Sequence, residues 1–539
     1  MQNTQKLLSI KNLKKYFPIA KSSIFQKEQL YVRANEEITI DIHSGETFGL
    51  VGESGCGKST LGRTILQLYP QTAGSTLYYG RTLEDFAPSY VAKTLKNAPK
   101  MIAQYKKMQA KAEKLSKEVE AAGESATFFQ HQNKNLAIAE ADTAFQNVVK
   151  ILGGFAALDD CTEGAKVLLE KYGTNVKLSK LNEQIRDYEA DVAFHKAVAD
   201  ELRADATVKN AEAKIQKAEK KAAEIAAKAE ALKPAVAKLK DTLAVDNQKI
   251  KDLKAKHASN EKFQEYEAML DDGIDLSRLK YSEMRILRKD IQIIFQDPYS
   301  SLNPRMTVGQ IIGEGLTTHK FFKPGSPLMK EYILKVMEQC GLQDYMLHRY
   351  PHQFSGGQRQ RICIARALAV KPKFIVCDEC VSALDVSIQS QIINLLEELK
   401  EKENLTYLFI SHDLSVVRYI SDRIGVMYLG NMVELGTAEE IFADPRHPYT
   451  VALLSSIPTT DVNALKKERI ILEGNIPSPI KPPDGCKFHT RCYMACDKCK
   501  RVPPPYVEVK PGHFVACHFL DQKIDENGNY LFDVPGKKA

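Results

Sequence analysis

The segment at residues 52–60 has a glycine-rich pattern whose residue types suit phosphate chemistry. It reads GESGCGKST and matches G-x-x-x-x-G-K-[ST] at every fixed position. Glycines let successive backbone N–H groups turn toward one small volume, and the dipole of a following helix favours negative charge there. Lys58 is expected to reach the β- and γ-phosphates of ATP, and Ser59 to ligate Mg²⁺. The predicted phosphate-binding residues are Gly52, Glu53, Ser54, Gly55, Cys56, Gly57, Lys58, Ser59 and Thr60.

The sequence around this loop predicts the elements that must position it. Residues 46–51 form an apolar run typical of a buried strand, and residues 60–68 have the composition of a helix. Further strands are predicted at 7–13, 37–42 and 75–79 from their alternation. Because strand, loop and helix follow one another, the pattern favours a phosphate-binding loop (P-loop) over an ordinary surface turn.

Four polar side chains follow predicted strands farther along the chain. Asp378 and Glu379 end an apolar run, Gln296 ends another, and His412 lies just beyond a third. Asp378 is expected to hold Mg²⁺, directly or through water, and Glu379 to polarise the attacking water. Gln296 can supply an oxygen to Mg²⁺ or to that water. His412 is expected to contact the γ-phosphate, since ligands gather at the carboxyl ends of strands in such sheets.

A second helix start with phosphate-facing potential lies at residues 354–361, FSGGQRQR. Ser355 suits the N-cap of a helix running to Ala369, and two glycines permit a close approach of phosphate. Because the chain already has a P-loop, this helix end is expected to meet a nucleotide across a dimer. Its predicted nucleotide-binding residues are Ser355, Gly356, Gly357 and Gln358.

Length and composition limit the class of protein. The 539 residues are too many for one core and suggest two to four domains. The net charge of +7 is spread along the chain, which fits an anionic membrane face better than nucleic acid. With no signal peptide and no apolar run near about 18 residues, the chain is expected neither to span a membrane nor to be secreted.

Residues 82–275 change to a composition rich in Ala, Lys and Glu. Apolar residues recur in steps averaging 3.5 over 101–122, 178–192 and 208–239, a coiled-coil rhythm. We expect two antiparallel helical arms, a kink or helix end at Pro234, and a small cap at the tip within 123–155. The insertion is interpreted as a docking arm for a partner protein or a solvated spacer. Nucleic-acid binding is disfavoured, because Lys and Glu interleave.

The motifs occur in the order of an ABC-type ATPase, which this chain resembles over residues 1–81 and about 275–520. The resemblance assigns the P-loop, the Q-loop at Gln296, the signature at 355–358, the Walker B acids, the D-loop at Asp385, and the switch His412. The segments FQDPYSSLNPRMTVGQII, YPHQFSGGQRQRICIARALA, SALDVSIQSQIINLL and HPYTVALLSSIP resemble the oligopeptide/dipeptide importer ATPases, nearest the OppF/DppF type. The position after Glu379, usually Pro, is Cys380 here, so the backbone there is expected to be less constrained.

The resemblance implies the fold, activity and partners. The expected fold is an α/β P-loop NTPase of the ABC type, divided as 1–81, a helical coiled-coil insertion at 82–275, 276–460, and a Pro- and Cys-rich extension at 461–539. The expected activity is ATP hydrolysis that powers peptide uptake at the cytoplasmic face of the membrane. Phe17 matches the adenine-stacking aromatic, with Tyr16 as the register alternative. Expected partners are an OppD-like ATPase, two permeases and an extracytoplasmic peptide-binding protein.

The C-terminal cysteines raise a separate question about metal. Chemistry alone allows three states of these cysteines: thiolates on an iron–sulfur cluster, thiolates on zinc, or unliganded thiols. The additional Cys496 makes these states harder to distinguish. The family resemblance favours a [4Fe–4S] cluster, held by Cys486, Cys492, Cys499 and Cys517.

Two other classes of ABC protein remain as rival functions. The coiled coil also suggests a DNA-acting, SMC-like ATPase, but the importer-like segments at 297–305 and 447–458 have no reason to occur there. ABC proteins of translation carry two cassettes in a chain, whereas this chain has one P-loop and one signature.

Overall fold

A computed structural model describes residues 5–21, 29–204, 211–457 and 470–520. Its strands are β1 (Lys6–Pro18), β2 (Tyr31–His43), β3 (Thr47–Val51), β4 (Ala73–Tyr78), β5 (Ile274–Asp275), β6 (Ile291–Ile294), β7 (Phe374–Asp378), β8 (Thr406–Ile410), β9 (Arg423–Tyr428), β10 (Asn431–Thr437), β11 (Tyr506–Lys510) and β12 (His513–Ala516). The predicted strands at 7–13, 37–42, 46–51 and 75–79 fall on β1 to β4.

Helices fill the intervals between the strands. They are α1 (Lys58–Ile65), α2 (Leu83–Phe86), α3 (Ser89–Lys96), α4 (Ala98–Ala122), α5 (Phe128–Leu152), α6 (Thr162–Ala204), α7 (Ala211–Ala255), α8 (Glu261–Glu267), α9 (Tyr281–Leu287), α10 (Val308–Thr318), α11 (Pro327–Gln339), α12 (Gly356–Leu368), α13 (Val386–Glu403), α14 (Leu414–Ile420), α15 (Ala438–Ala443), α16 (Pro448–Ser455) and α17 (Asp497–Arg501).

The main sheet has eight strands in the order β11-β12-β10-β9-β3-β8-β7-β6. The five strands from β9 to β6 run parallel. Three of them read TFGLV, FIVCD and TYLFI and are buried along their whole length, as expected for parallel strands covered on both faces. Because parallel strands end at one edge, the loops after β3, β6, β7 and β8 meet there.

A smaller antiparallel sheet, β2-β1-β4-β5, packs against this main sheet. The core between them is built from alternating residues of β1 and β2, such as Leu8, Ile10 and Ile40, and from Phe48 and Leu61. The main sheet's other face joins α10 to α13 in a second core. The P-loop helix α1 is therefore clamped between two sheets.

The helices between β4 and β5 pack in pairs, α4 with α5 and α6 with α7. Of the kink or helix end predicted at Pro234, the helix end is wrong, because α7 runs through this residue. Residues 123–155, which were predicted to contain a cap at the tip of the insertion, include a helix that packs near its base instead. Helix α5 packs on β4, and Phe155 lies edge-to-face with Phe263, 5.4 Å between ring centroids, in a core near the insertion's base. Local periodicity could not reveal this long-range packing.

The C-terminal hairpin β11–β12 continues the main sheet, because β12 pairs with β10 through Val515 and Glu434. Buried His513 places its Nε2 2.9 Å from the Glu434 carboxylate. Among the helices that the structure describes, none is long and apolar enough to cross a membrane.

Candidate functional site

The P-loop connects β3 to α1 at the carboxyl edge of the main sheet. Gly52, Gly55 and Gly57 have φ of 149°, 80° and 103°, a region that side chains disfavour. A Cβ on Gly52 would lie 2.2 Å from the Met427 carbonyl oxygen, and one on Gly57 2.1 Å from that of Ala34. Gly52 and Gly57 are therefore required by both conformation and space, and Gly55 by conformation alone.

Lys58 lies at the start of α1, next to Ser59 and Thr60, with its side chain buried. Its Nζ donates to the carbonyl oxygens of Gly52 at 2.7 Å and Glu53 at 3.1 Å, and lies 3.8 Å from the Cys56 sulfur. The ammonium is thus held inside the curl of the loop. This location supports the predicted contact with phosphates.

Asp378 is the last residue of β7 and is almost fully buried. One carboxylate oxygen, Oδ2, accepts a hydrogen bond from Arg63 of α1 at 3.1 Å. The other, Oδ1, is buried and has no hydrogen-bond partner among the residues that the structure describes, and a buried charged oxygen left unsatisfied is costly. This available carboxylate oxygen fits a ligand to Mg²⁺, a hard cation that prefers oxygen.

The three predicted catalytic side chains lie together. Gln296 Nε2 donates to Glu379 Oε2 at 2.7 Å, and His412 Nδ1 is 3.7 Å from the same oxygen. Glu379 has a φ of +48°, and its N–H donates to the Ile410 carbonyl at 3.0 Å. The expectation of a loosely constrained backbone here finds no support, since Cys380 is also buried. Three neighbouring strands therefore deliver one carboxylate with two polar partners.

The signature segment forms the N-terminus of α12. Ser355 is its N-cap, and its hydroxyl accepts from the Gln358 N–H at 3.4 Å while the Gln358 side chain accepts from the Ser355 N–H at 3.1 Å. Ser355 and Gly356 are exposed, and a Cβ on Gly357 would meet Ile388 at 2.5 Å. Asp385 caps the neighbouring helix α13, accepting from the Ile388 N–H at 3.0 Å. Both helix starts face solvent, available to a second molecule.

The two candidate adenine-stacking aromatics have different environments. Tyr16 is buried, and its hydroxyl donates to Glu36 at 2.5 Å. Phe17 is partly exposed, with Tyr69 edge-on at 5.4 Å between centroids and the Lys15 ammonium 4.4 Å from its ring centroid. An accessible ring is needed for stacking, which favours Phe17.

The C-terminal cysteines come together in part. Cys496 and Cys499 have their sulfurs 3.7 Å apart, and the Cys486 N–H donates to the Cys499 carbonyl at 2.8 Å. Burial raises the pKa of Cys486 to about 11, and nearby Cys517 and Cys499 add to it. Within the described ranges, no three Cys, His, Asp or Glu side chains converge as a metal site requires. The predicted cluster ligands thus fit a metal only in part.

Two arginines that contact residues of the site belong to none of the predicted motifs. Arg63 holds Asp378, and Arg491 forms two hydrogen bonds with Glu53 of the P-loop, at 2.7 and 3.1 Å. Arg63 lies one turn into α1, which could have suggested its role. Arg491 lies 438 residues from Glu53, and no local signal connects them.

Comparison with known proteins agrees with this geometry. A family model for the ABC transporter matches residues 35–233 and 258–382, and one for the oligopeptide/dipeptide transporter C-terminal region matches 433–499. The chain is 55% identical over 248 residues to the oligopeptide transport ATP-binding protein AppF of Bacillus subtilis, covering 46% of this chain and 75% of AppF. It is 50% identical over 248 residues to OppF of Haemophilus influenzae, covering 46% and 74%. The chain therefore belongs to the ATP-binding proteins of the oligopeptide/dipeptide ABC transporter family.

Proposed function

We propose that this chain hydrolyses ATP to power the import of oligopeptides or dipeptides from the cytoplasmic face of the cell membrane. The observation that carries this is the convergence of Glu379, Gln296 and His412 beside Asp378 and the P-loop. Nothing in the comparisons supports the DNA-acting alternative.

The chemistry follows from the arrangement of these side chains. Lys58 and the backbone N–H groups of the loop bind the phosphates, while Phe17 stacks on adenine. Ser59, Gln296 and Asp378 would hold Mg²⁺, which neutralises charge on the phosphates when bound. Glu379 orients and polarises the water that attacks the γ-phosphate, and His412 contacts that phosphate. Gln296 keeps the Glu379 carboxylate aimed by donating to it.

The exposed starts of α12 and α13 support a shared nucleotide site. We infer that Ser355, Gly356, Gly357, Gln358 and Asp385 contact ATP held by the P-loop of a second, OppD-like subunit. The loop after Gln296 supports docking to a permease, because Tyr299 is 68% exposed there. Two permeases and an extracytoplasmic peptide-binding protein would complete the transporter.

Reconstitution with membrane partners tests this function. The chain, its ATPase partner and the two permeases are assembled in liposomes with peptide-loaded binding protein. We expect ATP hydrolysis to rise on assembly and labelled peptide to accumulate inside. DNA that stimulates hydrolysis when the permeases do not would favour the SMC-like alternative.

The division into 1–81, 82–275, 276–460 and 461–539 remains our proposal, with the insertion as a coiled-coil docking arm. Tyr78 and Ile274 are paired neighbours on β4 and β5, so a short linker can replace the insertion. We expect deletion of about residues 85–272 to leave ATP binding intact. The melting temperature should fall, because Lys150 and Thr143 of α5 bond to Ser75 and Gly74 of β4.

Nucleotide titration of the purified deletion protein checks this modularity. The full-length chain is the control, and circular dichroism establishes that the shortened protein is folded. A folded deletion protein that no longer binds ATP would contradict the proposal.

We propose that Cys486, Cys492, Cys499 and Cys517 hold a [4Fe–4S] cluster, with zinc as the alternative. The hydrogen bond from the Cys486 N–H to the Cys499 carbonyl supports it, because it brings two of the four residues together. Protein purified without oxygen is expected to contain iron and sulfide and to absorb visible light. Zinc without iron would favour the alternative, and protein without either metal would reject both.

A further inference from the structure

The cysteine loop, which we define as residues 485–499, docks directly on the P-loop. Arg491 of this loop reaches Glu53 with two parallel hydrogen bonds, Nη1 to Oε2 at 2.7 Å and Nη2 to Oε1 at 3.1 Å. The Arg491 side chain is only 7% exposed. Paired, partly buried bonds of this kind fix both partners in orientation as well as in charge.

An aromatic cluster anchors the loop beside this ion pair. The fully buried ring of Phe488 packs on Tyr428 and Tyr449 at 5.1 and 5.3 Å between centroids. The Tyr449 hydroxyl accepts from the Glu53 backbone N–H at 2.8 Å. The C-terminal third of the chain thus holds Glu53 by its carboxylate and its backbone.

Arg491 balances the negative charge that the Glu53 side chain places in the P-loop. The P-loop collects positive potential for a highly charged anion, yet Glu53 places a carboxylate in it next to Gly52. An unpaired carboxylate there would repel the phosphates. The guanidinium neutralises it and holds it on the side of the cysteine loop. The hydrogen bonds to Glu53 in turn raise the pKa of Arg491.

We propose that Arg491 is a positioning residue of the nucleotide site, which neutralises and orients Glu53 so that docking of the cysteine loop sets the affinity for ATP. Arg491 acts through Glu53 and does not touch ATP itself. The proposal rests on ATP binding by the P-loop, as in the proposed function. It also means that docking of the cysteine loop affects ATP binding, whether or not the thiols of the loop hold a metal.

A double-mutant cycle in the full-length chain tests the proposal. Arg491→Met is expected to weaken ATP binding about tenfold, which corresponds to about 1.4 kcal/mol. Glu53→Gln removes the repelling charge together with the ion pair, and its own ATP affinity is the reference for the second step of the cycle. Adding Arg491→Met to Glu53→Gln should then cost less than about twofold. In hydrolysis, the KM for ATP should rise in Arg491→Met while kcat stays nearly constant.

Controls separate this role from a general loss of structure. Lys500, the first residue after the loop, forms an exposed ion pair with Asp497, and Lys500→Met should leave ATP affinity unchanged. If Arg491→Met weakens binding equally with Glu53 or Gln at position 53, the effect does not pass through Glu53 and the proposal is overturned. A wild-type chain that fails to bind ATP would instead reject the proposed function.

Hydrogen exchange provides a measurement independent of hydrolysis. Coupling between two sites is reciprocal, so ATP should slow amide exchange across residues 485–499 in the wild-type chain. Arg491→Met should lose that protection. Exchange in the wild-type loop that is indifferent to saturating ATP would overturn the proposal.

Discussion

Replacing Glu379 with Gln is expected to leave ATP binding intact and to slow hydrolysis by about 10²- to 10⁴-fold, the usual contribution of a positioned general base. The amide keeps the size of the carboxylate but loses the charge that polarises water. Gln296 and His412 now flank one carboxylate oxygen at 2.7 and 3.7 Å, and an amide oxygen can still accept from Gln296. The local geometry should therefore survive, and the loss should fall on kcat.

Phosphate release by the assembled complex measures this effect, with fluorescent-nucleotide titration reporting binding. Glu398→Gln is the matched control, because Glu398 forms an exposed ion pair with Lys402. It should hydrolyse ATP like the wild type. Near-normal turnover of Glu379→Gln would assign the base to another group.

The second large effect is expected for Asp378→Asn. Its Oδ2 is held by Arg63, and its Oδ1 is buried with no partner in the described part of the chain. The amide would remove the charge that suits Mg²⁺. Hydrolysis should fall at least about 100-fold, a loss typical when a group stabilising transition-state charge is removed. The Mg²⁺ concentration that gives half-maximal rate should also rise.

A metal titration distinguishes this role from a structural one. Rates are measured over a range of Mg²⁺ and Mn²⁺ concentrations, with thermal unfolding followed in parallel. Asp200→Asn, at an exposed position of α6, is the control with the same chemical change. A variant with a lowered melting temperature and an unchanged metal requirement would show that Asp378 serves only the fold.

The nucleotide site could be predicted because its signals are local. Residues 46–60 encode strand, loop and helix in succession, and Ser355 with Gln358 encodes a capping box. The convergence of Gln296, Glu379 and His412 followed from one topological rule, that parallel strands end at the same edge. Each of these inferences needs only a few neighbouring residues.

The rest depends on contacts between distant parts of the chain. Arg491 and Glu53 are 438 residues apart, and neither belongs to a periodic pattern that points to the other. Phe155, which follows α5, and Phe263 of α8 likewise pack together at the base of the insertion. Helix α7 continues through Pro234, an outcome that local preference alone predicts poorly.

Backbone hydrogen bonds connect β12 through β10 and β9 to β3, so the hairpin β11–β12 is part of the same sheet as the P-loop strand. Strand β3 leads directly into the P-loop. The hairpin therefore cannot move independently of the P-loop without breaking some of these hydrogen bonds. Any rotation of the main sheet during a transport cycle would therefore move residues 506–516 together with it.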